Sequence, residues 1–270
     1  MAATVEPPAT QSGGTRDTLR DASRDPAVNP AIVGILAYLQ DRRLQPGDRL
    51  PSERDLAERL GVGRNAVREA LATLATLRIV ESRPNSGIYL RHMAMESSFE
   101  ALVMLTDMGA TPTSTEISET TEVRAHLELQ AVDLACARRT DTDLAKMEEI
   151  VVRTERLLAE GGNIAGADTE FHIALAQATH NSVLVRVLNA FYRFTARRRV
   201  VYFEDEAKGK SSARDHRKLL DLIRQRDSAK ARALILRHMD GARGYWNAVL
   251  GDALTNTSPI KPKGNTHVHI

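Results

Sequence analysis

From Pro30 to Leu250 apolar residues recur three or four positions apart, the period of amphipathic helices. Ile32, Val33, Ile35, Leu36 and Leu39 form the first stripe, on a helix beginning near Pro30. Gln45-Pro46-Gly47-Asp48 stops the chain and turns it. Ser52 is a good cap for a short helix, with Asp55 three residues on completing a near capping box. Leu56, Ala57 and Leu60 form the inner face of that helix. Gly61-Val62-Gly63 is a tight turn, and Gly61 suits a left-handed C-cap. In the next helix, from about Arg64 to Leu77, Val67, Leu71, Leu74 and Leu77 face inward. The pattern then changes. Residues 79–82 and 87–91 predict two strands joined by Arg83-Pro84-Asn85-Ser86. Two short helices across a tight turn, followed by a hairpin, predict a winged helix-turn-helix, which places one helix in the DNA major groove.

Beyond the hairpin, Phe99, Leu102, Val103 and Leu105 predict one helix, ended by Gly109-Ala110-Thr111-Pro112. A domain boundary near His92 assigns that helix to the second domain. Further helices are predicted at 117–138, 141–160, 164–178, 182–206, 211–225 and 228–250. Thr140-Asp141, Gly161-Gly162-Asn163, Asn181-Ser182, the loop Lys208-Gly209-Lys210 and Asp227 separate them. The fold class is therefore mainly α: a winged helix-turn-helix with a small β wing over 29–92, then an antiparallel bundle of six to seven helices over 93–250. Residues 1–28 and 251–270 lack periodic apolar positions and are expected to be disordered tails.

Composition adds little until it is read locally. Aromatics make up 4% of the chain and the formal net charge is only +2. Between residues 41 and 91, however, ten Arg stand against seven Asp/Glu, with no Lys. Arg suits bidentate contacts to guanine and phosphate, although charge alone fits a solvated helical surface equally well. The single cysteine, Cys136, rules out an intrachain disulfide and sits in an Ala-rich helix as a small buried residue. No apolar run approaches the ~20 residues of a membrane span. A soluble, cytoplasmic protein is expected.

The histidines of the second domain are its candidate chemistry. Asp168 and His172 are spaced i, i+4 and share a helix face. His216 and His238 follow on later helices, 22 residues apart. Three imidazoles and a carboxylate suit Zn²⁺, Ni²⁺ or Mn²⁺. On spacing alone they read more readily as satisfied core residues. Arg197-Arg198-Arg199 is a basic run on a long helix, expected to make surface or interdomain ion pairs or to line a pocket entrance.

Two stretches carry a family resemblance. L-P-S-E-R-D-L-A, then G-V-G-R-N-A-V-R-E-A-L, then the strand and Gly-containing wing resemble the DNA-binding domain of the GntR family of bacterial transcription regulators. A-D-x-E-F-H-I-A-L-A-Q-A-T-H-N and D-H-R-K-L-L-D-L-I-R are similar to the FCD ligand-binding domain of its FadR subfamily. The resemblance implies DNA contacts from Arg54, Arg64, Asn65 and Arg68, with Ser86 and Gly87 bringing the wing to the minor groove. Glu53 and Glu69 are candidate partners that hold these arginines. It further implies a divalent metal on Asp168, His172, His216 and His238, and a small carboxylate effector near Arg124. A helix-surface pairing of Arg124 with Glu128 explains that arginine equally well. The partners implied are double-stranded operator DNA and a second copy of the chain in a homodimer, with repression as the default direction. Arg78 departs from the family, which often has Gly there. The rivals are a metal-dependent hydrolase, for which no motif places a general base, and a non-switching architectural DNA binder with a structural metal.

Overall fold

A computed structural model of the chain describes residues 28–108 and 113–255. The predicted tails over 1–28 and 251–270 lie outside these residues, except for Val28 and the last helical turn to Thr255. The contacts divide the chain into two compact units, Met1–Met108 and Gly109–Ile270.

In the first unit α1 (Val28–Asp41), α2 (Glu53–Leu60) and α3 (Arg64–Thr76) precede a hairpin of β1 (Val80–Arg83) and β2 (Gly87–Leu90). Ser52 caps α2 by accepting from the Asp55 N–H at 3.2 Å, and Gly61 ends it at φ 67°. Ile35, Leu56, Val67, Leu74 and Ile79 are fully buried and form the core. The strands pair antiparallel, Val80 opposite Leu90 and Arg83 opposite Gly87. The segment before α2 also joins this hairpin: Leu50 donates to Ile88 O, Leu90 to Asp48 O, and Arg49 bridges Tyr89. The turn predicted at 45–48 thus continues into a partial third strand.

Short α4 (Met93–Glu96) and α5 (Phe99–Asp107) complete this unit. The boundary expected near His92 is not where the contacts part. Ala101 on α5 is fully buried in the first unit's core, Met104 and Met108 pack against that core, and Ser98 N–H donates to Leu77 O. The helix therefore belongs with the winged unit, because its apolar side is covered there.

Among the described residues the second unit is a six-helix bundle: α6 (Ser114–Arg138), α7 (Asp141–Ala159), α8 (Ala165–Gln177), α9 (Ser182–Tyr202), α10 (Glu206–Arg224) and α11 (Ser228–Thr255). Reciprocal capping boxes, Thr113 with Glu116 and Thr140 with Asp143, start α6 and α7. Asn181 caps α9 through the Val183 and Leu184 N–H groups. Met147, Phe171, Leu175, Leu188, Leu220 and Ile223 interlock in the core, and Cys136 is buried beside them. The loop expected at 208–210 is helical instead. The break falls earlier, where Asp205 caps α10 by accepting from Ala207 N–H. Gly209 serves packing, not a turn: a Cβ there would lie 2.9 Å from Leu158 Cδ2. No helix among the described residues is long and apolar enough to cross a membrane.

Candidate metal centre and DNA-reading surface

On the winged unit, Arg64, Asn65 and Arg68 are exposed on the first turns of α3, and Arg54 is exposed on α2. Their apolar neighbours Ala66, Val67 and Ala70 face the core, so the 3.6-residue period leaves the polar set outward. Arg68 Nε lies 3.3 Å from Glu53 Oε2, tying α3 to the start of α2. Arg54 Nε lies 3.6 Å from Asp55. Glu69 makes no ion pair among the described residues. In the wing, the Ser86 hydroxyl hydrogen-bonds the Tyr89 hydroxyl at 2.6 Å, and Arg83 stacks on the Tyr89 ring at 4.1 Å. Gly87 sits at φ 125°, and a Cβ there would lie 2.7 Å from Arg49 Nε. The wing thus packs closely against an arginine that the sequence patterns do not single out. Arg78, at φ 60°, adopts the left-handed conformation that Gly adopts without strain.

In the second unit Asp168 and His172 on α8, His216 on α10 and His238 on α11 converge. One ligand atom from each lies within 4.8 Å of the others. The three imidazole centroids are 5.0–5.3 Å apart. Phe171, one residue before His172, stacks on His216 at 4.0 Å and fixes that ring. His172 and His216 are wholly buried, and Asp168 nearly so.

Carboxylates behind the ring hold two of these histidines. Glu128 Oε2 is 3.2 Å from His172 Nδ1, and Asp215 Oδ2 is 3.3 Å from His238 Nδ1. With Nδ1 donating to Glu128, His172 presents Nε2 toward the cluster as a lone-pair donor, the tautomer a metal ligand requires. Nε2 of His172 and both ring nitrogens of His216 are buried without hydrogen-bond partners. Buried polar atoms are rarely left so, and a shared cation would satisfy them. Burial pushes His216 well below the usual imidazole range, and the neighbouring His172 and His238 add to that shift. Burial also lowers His238, although Asp215 opposes it. Neutral imidazoles are the ligating form. Burial raises Glu128, but His172, Arg124 and Tyr192 outweigh it and hold the carboxyl at about 2. The residues present therefore fit a divalent ion.

Arg124 is buried, not on a helix surface. Its Nε is 3.6 Å from Glu128 Oε1 and its Nη2 donates to the Tyr192 hydroxyl at 2.5 Å. Tyr192 in turn donates to Glu128. Beside the histidine cluster lies a cavity of about 230 Å³ whose walls carry Arg124, Arg198, Arg199, Lys208 and Arg237. Asp168 and Asp215 are the carboxylates among its lining residues. The basic run at 197–199 is thus partly interior. Arg199 is buried and ion-pairs with Asp168, and Arg198 stacks over Phe194. Burial, then repulsion from Arg124, lowers Arg198 to about 10 and holds Arg199 well below the usual guanidinium range.

Sequence reasoning missed Glu128 as a histidine support, Tyr192 and Asp215, and named Arg199 only within a basic run making ion pairs or lining a pocket entrance. Asp215 had a signal, since it immediately precedes His216. Glu128 had one as the i+4 partner of Arg124. Nothing local distinguished Arg199 from Arg197 and Arg198.

A helix-turn-helix with a wing, joined in one chain to a helical bundle holding a polar, basic cavity, defines a ligand-binding DNA-binding protein. The sequence profile of the bacterial regulatory proteins of the gntR family matches residues 34–90, and that of the FCD domain matches residues 119–241. The chain belongs to the GntR family of transcription regulators, with an FCD effector domain. The HTH-type transcriptional regulator LutR of Bacillus subtilis is 29% identical over 77% of this chain and 97% of its own length. A putative L-lactate dehydrogenase operon regulatory protein of Escherichia coli is 34% identical over 58% of this chain and 60% of its own length. The HTH-type transcriptional repressor NanR of Salmonella newport is 28% identical over 75% of this chain and 78% of its own length.

Proposed function

We propose that this regulator is a homodimeric repressor whose operator affinity is set by a small carboxylate effector bound at a divalent metal centre. The observation that carries the reading is the cluster of Asp168, His172, His216 and His238, buried beside a cavity walled by arginines. A bound divalent ion would supply a Lewis-acidic point at which an effector carboxylate completes the coordination. Glu128 and Asp215 orient the histidines, and Arg124 offers a guanidinium fork to the same carboxylate. The basic wall favours anions, and a cavity of about 230 Å³ suits a small one. One relative is a putative L-lactate dehydrogenase operon regulatory protein, and lactate is a small hydroxy acid of the class proposed for this cavity. The name of NanR supports repression.

On the DNA side, Arg64, Asn65 and Arg68 read base edges or phosphates from α3, Arg54 contacts the backbone, and Ser86 with Gly87 brings the wing to the minor groove. Two copies read the half-sites of a near-palindromic operator. The effector shifts operator affinity by binding one arrangement of the dimer more tightly, a coupling of about 1–3 kcal/mol. The test is a thermal-shift screen of small carboxylic acids on metal-stripped protein, with and without Zn²⁺, Ni²⁺ or Mn²⁺. A ligand that binds only the folded protein raises the midpoint. The expected result is an acid that acts only with metal and also changes operator retention in a gel-shift assay. Acids that act equally without metal would overturn the metal's role.

A further inference from the structure

We infer that Arg199 is a second effector ligand held in reserve by Asp168, and that its release couples metal binding to anion binding. The inference rests on the metal reading above. Both oxygens of Asp168 are already engaged. Oδ2 pairs with Arg199, while Oδ1 accepts from Ser212 at 2.7 Å and lies 3.4 Å from His216 Nε2. An ion taken by Asp168 together with the three histidines competes with Arg199 for that carboxylate and sets further positive charge beside it.

Arg199 has little alternative once displaced. Its side chain is 9% exposed, and its guanidinium stacks 4.6 Å from the Tyr192 ring centroid. Arg124 lies 4.4 Å from the same ring centroid. Glu128, the other buried carboxylate of this site, already serves Arg124, His172 and Tyr192. A buried guanidinium without a counter-charge is costly. Arg199 also lines the cavity, so the counter-charge it can reach is an anion there. A carboxylate matches its planar fork. Without metal, Asp168 supplies the counter-charge of Arg199 and the cavity demands less anion. With metal, Arg199 turns to the acid. Metal and carboxylate thus favour each other's binding, and by linkage the effect is reciprocal.

The experiment measures Zn²⁺ affinity by chelator competition for full-length wild type, Arg199→Met and Arg199→Lys. Each is measured in chloride and in acetate, after correction for acetate's own weak zinc binding. The wild type is expected to bind Zn²⁺ at least about 5-fold more tightly in acetate, the lower end of typical couplings. Arg199→Met is expected to bind Zn²⁺ more tightly than wild type in chloride and to lose most of the acetate effect, keeping the part that direct carboxylate–metal coordination gives. Arg199→Lys, which keeps the charge, is expected to retain more of that effect. A wild type indifferent to acetate overturns the inference, and so does an Arg199→Met protein that keeps both the wild-type affinity and the whole acetate effect. If Arg199→Met does not fold, as judged by circular dichroism, the wild-type and Arg199→Lys measurements still decide. A His172→Ala control separates the two readings: Zn²⁺ affinity unchanged by His172→Ala removes the metal centre itself.

Discussion

Glu128 Oε2 lies 3.2 Å from Nδ1 of His172, and both side chains are completely buried. This contact fixes which imidazole nitrogen faces the candidate centre. It also places a carboxylate held at about 2 against an ordinary value of 4.5. A lowered carboxyl stabilises the fold above its unfolded value and loses that contribution as pH falls from about 4.5 toward 2. Glu128→Gln is expected to remove a large part of that contribution and to weaken metal affinity about 10–100-fold. Urea unfolding of metal-stripped protein and chelator competition measure the two effects. Unchanged metal affinity would show that Glu128 supports only the packing.

A second pH dependence arises from the other histidines. His216 and His238 are both lowered in the fold, chiefly by burial. In the unfolded chain they take up protons near pH 6.5, whereas the folded protein resists this. The unfolded state then binds more protons, so metal-free stability falls as pH drops below about 6.5, by at most ~1.4 kcal/mol per pH unit for each histidine. Urea midpoints between neutral pH and pH 5.5 should decline, and less steeply in His216→Gln/His238→Gln. A flat profile in the wild type would contradict the burial that the structure shows.

The DNA-reading assignment is tested on α3. Arg64→Ala or Arg68→Ala is expected to weaken operator binding by about 1–3 kcal/mol with the fold intact. Glu53→Gln breaks the Arg68 pair, whose members are exposed, and should cost about 0–1 kcal/mol of stability. Fluorescence anisotropy with operator DNA and thermal melting measure the two quantities. Operator affinity unchanged in both arginine variants removes α3 as the reading helix.

Arg78 and Gly87 make opposite predictions from the same backbone physics. Arg78 holds a left-handed conformation at φ 60° that Gly adopts without strain. Arg78→Gly is expected to leave stability equal or to raise it by up to about 1 kcal/mol, after Gly's larger entropy loss on folding. Gly87, at φ 125° and pressed by Arg49, should cost about 1–3 kcal/mol when changed to Ala. Thermal or urea melts rank the two. A destabilised Arg78→Gly would mean that the Arg78 side chain itself contributes contacts or charge interactions.

Much of the fold was legible in the sequence because its determinants are local. Ser52, Gly61, Thr140 and Asn181 act within one turn of the helix ends they mark, and the apolar periods of α2 and α3 fix their buried faces. Local signals failed where packing decides. The Lys208-Gly209-Lys210 segment has turn composition, yet α10, capped by Asp205, runs through it, and Leu158 packs beside the bare Gly209. The α5 stripe was visible, but not which unit would cover Ala101.

The sequence by itself determined the winged helix-turn-helix, the helical second unit and, through family resemblance, the four residues Asp168, His172, His216 and His238. Spacing i, i+4 put the first two on one face of α8. Only the tertiary structure brought His216 and His238 to them, set Glu128 and Asp215 behind the rings, and turned Arg124 and Arg199 inward. Those relationships join residues up to 114 positions apart (Arg124 and His238, which line one cavity) across α6, α8, α9, α10 and α11. Burial there removes water as a partner, so each polar group must find its counterpart on another helix, a match that no single-helix pattern encodes.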